Sequence, residues 1–268
     1  VGNLERIMMG ILEKFSLKGR TAVVSGGAGP LFGSSISEAL AEAGATVVTA
    51  SRSAERTSAF ATKMQIRGYD VLGMTLDISN PDSIEEFKNK VIDRHGHVDV
   101  LVNNAVVGRG GGFEDQTPEY WAMSAQGNMV GLFAMCQGFI PHMTGGKGGS
   151  IINISSIYGV VGNDPSLYEG TDMKQPPDYT FVKGGMINFT RYIANYFGNQ
   201  GIRANCICPG GYFHDQPGPF LENYEKRVPV GRMLDNEDIK GAVVFLASDA
   251  SVYVTGTSLM VDGGFTSI

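Results

Sequence analysis

The sequence predicts an α/β protein built on one doubly wound parallel sheet with helices on both faces. Segments rich in Val and Ile alternate along the chain with segments whose apolar residues recur at helical spacing. The strand-like segments do not alternate apolar with polar residues, which is typical of strands buried on both faces. Strands and helices in this order pair in parallel through right-handed crossovers.

The predicted elements follow in order along the chain. Strands are predicted over Thr21–Ser25, Thr46–Ala50, Val71–Leu76, Val98–Asn103, Ser150–Ser155, Arg203–Cys208 and Ser258–Val261. Helices are predicted over Ser34–Ala43, Ala54–Arg67, Pro81–Ile92, Pro118–Met143, Tyr179–Phe197 and Asn236–Ala247. Two long irregular stretches, Gly159–Asp178 and Pro209–Asp235, follow strands, so we expect them at the carboxyl edge of the sheet, where ligands bind in such folds.

These elements predict a single domain over residues 15–268, preceded by an extension over residues 1–14. The apolar residues of the extension follow helical spacing. Two interpretations stay open: an amphipathic helix that docks on the core or on a neighbouring subunit, and a frayed leader.

The composition of the chain restricts its expected binding partners and its expected cellular compartment. A net charge of −6 argues against nucleic acid or an anionic membrane as the main partner. No apolar run reaches membrane-span length, and no secretory signal is visible. Cys136, Cys206 and Cys208 cannot all pair, so they are interpreted as small buried side chains in a reducing cytoplasm. Cys206 and Cys208 lack a matching second pair, so no metal site is predicted.

A glycine-rich loop follows the first predicted strand. The run from Ser25 to Gly33, with Gly26 and Gly29 inside it, leads directly into a helix. Glycines let a chain approach a diphosphate, and the helix N-terminus offers free N–H groups to that anion. The loop therefore predicts a dinucleotide site, whereas the alternative is an ordinary tight turn. Ser51 and Arg52 follow the second predicted strand, where an acidic residue would bind a ribose hydroxyl, which favours NADP while leaving NAD possible.

Tyr179 and Lys183 lie four residues apart at the start of a predicted helix, and so on one helix face. An ammonium beside a phenol lowers a phenol pKa that starts near ~10. A tyrosine tuned in this way exchanges a proton with an alcohol or a carbonyl. Taken alone, the pair is also compatible with an ordinary surface contact.

Several motifs occur in one order and together carry a resemblance. They are the glycine loop, Asn103-Asn104-Ala105, Ser155-Ser156, Tyr179-x-x-x-Lys183, Pro209-Gly210 and Val261-Asp262-Gly263-Gly264. From about Phe15 onward the chain resembles the short-chain dehydrogenase/reductase family, whose members have a Rossmann fold. The resemblance implies a homotetramer, or next a homodimer, in which the last helix and the last strand pair between subunits.

The resemblance also implies roles for individual residues. It makes Tyr179 the general acid/base, Lys183 the ligand of the nicotinamide ribose, Ser156 the partner of the substrate oxygen and Asn128 the holder of a relay water. On the cofactor side it implies contacts from Asp77, Ile78, Asn104, Ala105, Pro209 and Gly210. Structural alternatives remain for Ser156 as a strand-end cap, for Asn128 as a polar residue inside a helix and for Asp77 as a helix cap.

The chain departs from the family pattern at several positions. The glycine loop is one residue longer, Val106 stands where a glycine is usual, and His214 stands where a threonine is usual. Tyr179 lies 23 positions after Ser156, farther than the family usually has. Tyr168, inside the extra segment, is a rival acid/base, but Asp172 rather than a lysine follows it four residues later.

The extra segment, residues 163–178, is polar. We expect it to line one side of a site for a hydroxylated substrate such as a sugar or sugar acid; the alternative is a solvent-facing loop. The stretch from Tyr212 to Arg232 predicts a lid that closes with its apolar residues Phe213, Phe220, Leu221 and Tyr224. The alternative is that those residues pack on the core.

Together these features predict an NAD(P)-dependent oxidoreductase that interconverts a secondary alcohol and a ketone. A non-catalytic NADP(H)-binding or redox-sensing protein is the alternative from another class, although it would have no use for acid/base residues. An enoyl reductase is a third interpretation, which the close spacing of Tyr179 and Lys183 disfavours.

Overall fold

The computed structural model describes residues 10–108, 110–144 and 148–268, and the strands it shows form one parallel sheet. The strands are β1 (Thr21–Ser25), β2 (Thr46–Ser51), β3 (Val71–Thr75), β4 (Val100–Asn103), β5 (Gly149–Ile154), β6 (Ile202–Pro209) and β7 (Ser258–Val261). Their order across the sheet is β3-β2-β1-β4-β5-β6-β7, and every pair is parallel. The predicted doubly wound parallel sheet is confirmed.

The helices flank this sheet. They are α1 (Phe32–Glu42), α2 (Ala54–Ile66), α3 (Pro81–His95), α4 (Pro118–Ala125), α5 (Gly131–Thr144), α6 (Pro177–Phe197), α7 (Gly218–Arg227) and α8 (Lys240–Ala247). Local signals start several of them. Asn80 caps α3 by accepting a hydrogen bond from the Asp82 amide at 2.9 Å, and Ser53 caps α2 in the same way.

Two predicted helices are wrong in their extent, and one helix was missed. The predicted Pro118–Met143 helix is interrupted by a π-helical turn, Gln126–Val130, that separates α4 from α5. The helix predicted from Asn236 begins only at Lys240, and α7 lies inside a stretch predicted to be irregular.

Close packing accompanies the π-helical turn. A Cβ added at Gly127 would lie 2.5 Å from a methyl of Val107, and one added at Gly131 would lie 2.1 Å from the carbonyl oxygen of Ile78. The two glycines therefore let this part of the chain approach the loops that follow β4 and β3. π-Turns of this kind occur frequently at functional sites.

Apolar side chains form a core on each face of the sheet. One core lies between the sheet and α3, α5 and α6, and the other lies between the sheet and α1, α2 and α8. A third, smaller cluster covers the carboxyl edge and contains Leu167, Phe220, Tyr224 and Phe265. Cys136, Cys206 and Cys208 are free and buried, as predicted.

The predicted extension falls mostly outside the described residues. Within the part that the structure describes, Glu13–Phe15 forms a single 3-10 turn. None of the helices within the described residues is long and apolar enough to cross a membrane.

Candidate active site

The carboxyl edge of the sheet brings the predicted site residues together. Ser25 ends β1, Asn103 ends β4 and Pro209 ends β6, while Ser156 follows β5 by two residues. Because neighbouring parallel strands end at the same edge, segments far apart in sequence meet there. Groups of acidic, His and Cys residues that could hold a metal ion are absent from the described residues.

The glycine loop folds tightly against the start of α1. Gly26 has a φ of +67°, a conformation that favours glycine. A Cβ added at Gly33 would lie 2.0 Å from the carbonyl oxygen of Gly26, whereas one added at Gly29 would lie 3.1 Å from it. The loop is thus a cradle that fits a dinucleotide diphosphate at a helix N-terminus.

Gly27, which the sequence-based prediction does not single out, is a second position in this loop where only a very small side chain fits. A Cβ there would lie 2.5 Å from both Ser37 Oγ and Thr49 Oγ1. The doubled glycine at Gly26 and Gly27 is the signal that marks this second close approach.

The loops after β1 and β4 are joined by hydrogen bonds. Ser25 Oγ accepts from the amides of Asn104 at 3.1 Å and Ala105 at 3.2 Å. Asn104 Nδ2 donates to the Gly26 carbonyl oxygen at 3.2 Å. Val106 has no left-handed backbone conformation, so this loop runs without the usual glycine there. The two predicted cofactor segments therefore form one unit.

The end of β2 presents an exposed cation near an acidic residue. Arg52 is exposed, and Ser51 Oγ is engaged with the backbone of Ser53 at 3.3 Å. Asp77 Oδ1 accepts from the Ser79 amide at 2.9 Å. Burial acts to raise the pKa of Asp77, but the Ser79 hydrogen bonds and the Arg52 charge lower it overall. Asp77 thus stabilises its own turn, and Asn80 rather than Asp77 caps α3.

Ser156, Tyr179 and Lys183 meet above the ends of β5 and β6. Lys183 Nζ lies 5.4 Å from the ring centroid of Tyr179 and donates to the carbonyl oxygen of Ile154 at 2.6 Å. Ser156 Oγ accepts from the Tyr158 amide at 3.2 Å and also interacts with the Tyr179 side chain. Lys183 and Ser156 are buried, and Tyr179 is half-buried.

The pKa of Tyr179 does not shift in the predicted direction, which was a lowering by the Lys183 ammonium. Burial raises the pKa of Tyr179, and the hydrogen bond with Ser156 only partly opposes that rise. Burial also lowers the pKa of Lys183 to about 8. The ammonium is directed at a backbone carbonyl and lies beside the ring, so its effect on the phenol is smaller than their sequence spacing suggested.

Asn128 lies in the π-helical turn and is bound to the loop after β4. Its Oδ1 accepts from the Val107 amide at 2.8 Å, and its Nδ2 donates to the Val107 carbonyl oxygen at 2.6 Å. Asn128 therefore fixes the path of that loop. The relay water that the resemblance implies stays a prediction.

Pro209 and Gly210 continue from β6 along the edge. The Gly210 amide donates to the Val261 carbonyl oxygen at 2.9 Å, and a Cβ at Gly210 would lie 2.8 Å from the Tyr224 hydroxyl. Only glycine fits between these neighbours, so the third cluster is seated closely on the end of β6.

The extra segment packs on α7, and we call residues 163–178 together with α7 the cap. Leu167, 1% exposed, lies in the third cluster with Phe220. Asn223 Nδ2 donates to the carbonyl oxygens of Ser166 and Glu169, each at 3.3 Å. The two parts of the cap, separate in sequence, are thus held as one layer over the site.

Tyr168 is engaged inside this cap. Its hydroxyl lies 3.1 Å from that of Tyr158 and donates to Gln175 Oε1 at 3.1 Å. Burial raises the pKa of Tyr168. Tyr158, which sequence reasoning missed, lies beside Ser156; its place two residues after the serine pair is the signal that could have found it.

The predicted lid is divided between packed and exposed residues. Phe220 and Tyr224 are buried in the third cluster, whereas Phe213 is 47% exposed. His214 is exposed, and its amide donates to Gln216 Oε1 at 2.7 Å. Phe220 and Tyr224 therefore follow the alternative interpretation, in which these residues pack on the core.

Comparisons with known proteins find relatives over nearly the whole chain. A family model described as enoyl-(acyl carrier protein) reductase matches residues 31–266. The 2-dehydro-3-deoxy-D-gluconate 5-dehydrogenase of Bacillus subtilis is 35% identical over 97% of this chain and 100% of its own length. The 3-oxoacyl-[acyl-carrier-protein] reductase of Vibrio cholerae is 32% identical over 93% of this chain and 98% of its own length.

A solved structure shows the same fold. The gluconate 5-dehydrogenase from Burkholderia cenocepacia, in complex with NADP and tartrate, superposes with a TM-score of 0.88 at 29% identity, covering 97% of this chain and 100% of that one. The chain belongs to the short-chain dehydrogenase/reductase family, and it is an NAD(P)-dependent dehydrogenase or reductase that acts on CH–OH groups.

Proposed function

We propose that this enzyme prefers NADP(H) and interconverts a secondary alcohol and a ketone on a polar, hydroxylated substrate such as a sugar or sugar acid. The observation that carries the chemistry is the convergence of Ser156, Tyr179 and Lys183 at the same edge of the sheet as the glycine cradle. A proton donor and a group that polarises the carbonyl are what hydride transfer requires of the protein.

The side chains have distinct parts in this reaction. The nicotinamide, when bound, supplies or takes the hydride. Tyr179 donates a proton to the carbonyl oxygen in reduction, and its raised pKa keeps it protonated at neutral pH. Ser156 accepts from the Tyr158 amide and bonds the Tyr179 side chain, and its hydrogen turns from Tyr179 to the substrate oxygen when substrate binds. With the cofactor bound, Lys183 would hold the ribose hydroxyls and stabilise the tyrosinate, and Asn128 would hold the relay water.

The substrate proposal is supported by the cap and by two relatives. Tyr158 follows Ser156 closely, and the cap adds the Tyr168 hydroxyl and the Gln175 amide over an apolar base, a mixture that suits a hydroxylated carbon chain. The Bacillus subtilis and Burkholderia cenocepacia relatives are named for sugar-acid substrates. A 3-oxoacyl thioester is the second candidate, which the Vibrio cholerae relative favours.

The test of the reaction is Tyr179→Phe. We expect turnover to fall by a factor on the order of 10³ or more while NADPH still binds, since general acid catalysis alone contributes 10²–10⁴-fold. The measurement is NADPH absorbance with a panel of keto sugar acids, polyols and 3-oxoacyl thioesters, alongside fluorescence titration of NADPH. Near-normal turnover in the variant would refute the role of Tyr179. NADPH binding by the wild type without turnover of any panel member would favour the non-catalytic alternative.

The cofactor preference rests on Arg52, which is exposed at the end of β2 beside Asp77. A guanidinium there suits a 2′-phosphate. In Arg52→Ala we expect the KM for NADPH to rise about tenfold, the equivalent of one charge-assisted contact, with little change in the KM for NADH. Equal changes for the two cofactors would overturn the preference.

We also propose that the enzyme is a homotetramer and that it works in a reducing cytoplasm. Several large apolar side chains of α4, the π-helical turn, α5 and α6 are exposed: Trp121, Met129, Val130, Phe133, Phe181, Tyr192 and Tyr196. Such a surface supports an interface distinct from the predicted one at the last helix and strand. Sedimentation equilibrium checks this proposal, and a monomer at micromolar concentration contradicts it.

A further inference from the structure

A chain of buried polar side chains runs beside the site and ends at the residue before Tyr179. Asp178, Ser124 and Asn128 are 3%, 1% and 6% exposed. Ser124 Oγ donates to Asp178 Oδ2 at 2.6 Å and accepts from Asn128 Nδ2 at 3.1 Å. Asn128 in turn holds the Val107 backbone.

The carboxylate sets the direction of this chain. An ionised carboxylate only accepts hydrogen bonds, so Ser124 must direct its single hydrogen towards Asp178. Ser124 then has only lone pairs to offer Asn128, which must present its NH₂ group. This is the same amide orientation that binds Val107 on both its N–H and its C=O, so Asp178 and Val107 favour one arrangement of Asn128.

The chain joins three segments that carry site residues. Val107 lies in the loop after β4, next to Asn104 and Ala105; Asn128 lies in the π-helical turn; Asp178 is the second residue of α6. None of the three is adjacent in sequence. The chain therefore sets where the Tyr179 end of α6 stands relative to the loop beside the cofactor cradle.

The second oxygen of Asp178 also has a neutral partner. Asp178 Oδ1 accepts from Gln116 Nε2 at 2.6 Å. Gln116 Oε1 is buried and accepts no hydrogen bond among the described residues. Burying a carboxylate against neutral donors is costly for packing alone, and an apolar pair would fill the same space without that cost. A polar chain retained at such a place fits a need for defined geometry.

We propose that Asp178 is a positioning residue that acts through Ser124 and Asn128 to align Tyr179 with the loop after β4. This inference rests on the proposed function, because the alignment matters through the proton transfer at Tyr179. It assigns to Asp178 and Ser124 no contact with substrate or cofactor.

Four variants separate positioning from general stability. Ser124→Ala and Asp178→Ala cut the chain. Asp178→Asn preserves it, because Gln116 can turn its amide so that the free Oε1 accepts from the new NH₂ group while the remaining oxygen accepts from Ser124. Thr117→Ala is the matched control, since Thr117 caps the same helix, α4, without touching the chain.

Two readouts are used on the full-length protein with NADPH. The first is hydrogen exchange of the Val107 amide, which needs no turnover. The second is kcat, measured with ordinary NADPH and with NADPH deuterated at C4, using whichever panel ketone the wild type reduces. A loss of folded enzyme lowers kcat without changing the isotope effect, whereas misalignment slows the chemical step and raises the effect.

We expect Ser124→Ala and Asp178→Ala to speed Val107 exchange and to lower kcat, each by a factor on the order of ten, with a larger isotope effect. Asp178→Asn and Thr117→Ala should stay within about threefold of wild type with an unchanged isotope effect. Unchanged Val107 exchange in Ser124→Ala, or an unchanged isotope effect where turnover is measurable, would overturn the inference. Full activity in Tyr179→Phe would instead overturn the proposed function and leave the exchange result to decide the positioning.

Discussion

The cofactor half and the cap of this enzyme are built in different ways. The cofactor half consists of β1 to β4 and the loops that follow them, so its loops continue directly from strands of the sheet. Two of these loops are hydrogen-bonded to each other through Ser25 and Asn104. The cap has no strand; its two parts are held by side chains such as Leu167 and Asn223. The difference teaches that the backbone path shapes the cradle, whereas side-chain packing holds the cap together.

The strongest way to break this comparison is to disturb the backbone path at Gly33. In Gly33→Ala the new Cβ would overlap the Gly26 carbonyl oxygen, so the cradle must open. We expect the Kd for NADPH, measured by fluorescence, to rise about 100-fold, roughly 3 kcal/mol of binding free energy. Gly162→Ala, which places a methyl in open space before the cap, is the control and should leave the Kd unchanged. A much smaller rise in the Kd for NADPH in Gly33→Ala would show that the cradle shifts to accommodate the added methyl group.

Lys183 tests the sheet-edge part of this comparison, because its ammonium group is buried there. Its pKa in the folded protein is about 8, against an ordinary 10.5, so below pH 8 folding must bury an ammonium at a cost of about 3 kcal/mol. That cost disappears as pH rises towards the unfolded value. We therefore expect the stability of wild type relative to Lys183→Met to improve by about 3 kcal/mol between pH 7 and pH 10.5.

Urea unfolding of both proteins across that pH range measures this difference. Replacing the exposed Lys63 by Met should give no comparable trend. A flat difference for Lys183→Met would mean that the ammonium is well solvated in the folded state.

The smallest expected effect tests the cap. Leu167→Ala removes a buried side chain between the two cap segments, and local loosening should raise the KM of the best panel substrate about tenfold. The Kd for NADPH should change less than twofold, because no cradle residue touches Leu167. Ile66→Ala, at an exposed position on α2, controls for the loss of an apolar side chain. Parallel loss of cofactor and substrate affinity would show that the two regions are not independent.

The same contrast explains what sequence could predict. The bounds predicted for Thr21–Ser25 and Ser258–Val261 are those of the structure. Burial along the whole of Thr21–Ser25 dictates its composition, whereas Ser258–Val261, at the edge of the sheet, is only half-buried and is marked by its short apolar run before Asp262. The proximity of Tyr179 to Lys183 follows from helical spacing alone. These are properties of short segments, and they need no knowledge of what packs against them.

Features that depend on distant partners were missed. The π-helical turn occurs where Gly127 and Gly131 pack against Val107 and Ile78, which lie in other loops. α7 lies among Pro and Gly residues that favour an irregular stretch, although Phe220 and Tyr224, four apart, carry a helical signal. The direction of the Tyr179 pKa shift was missed as well, because burial depends on the assembled site.

Phe265 has a consequence for how the enzyme is made. It lies beyond the last strand, and its ring stacks 5.5 Å from that of Tyr224 beneath the cap. Domains begin to fold while the chain is still being synthesised, amino-terminal parts first. The segment that forms the glycine cradle is therefore made early, whereas the cap can complete its packing only after Phe265 has emerged. Packing of the cap is thus a later step in the making of this protein than folding of the segment around β1.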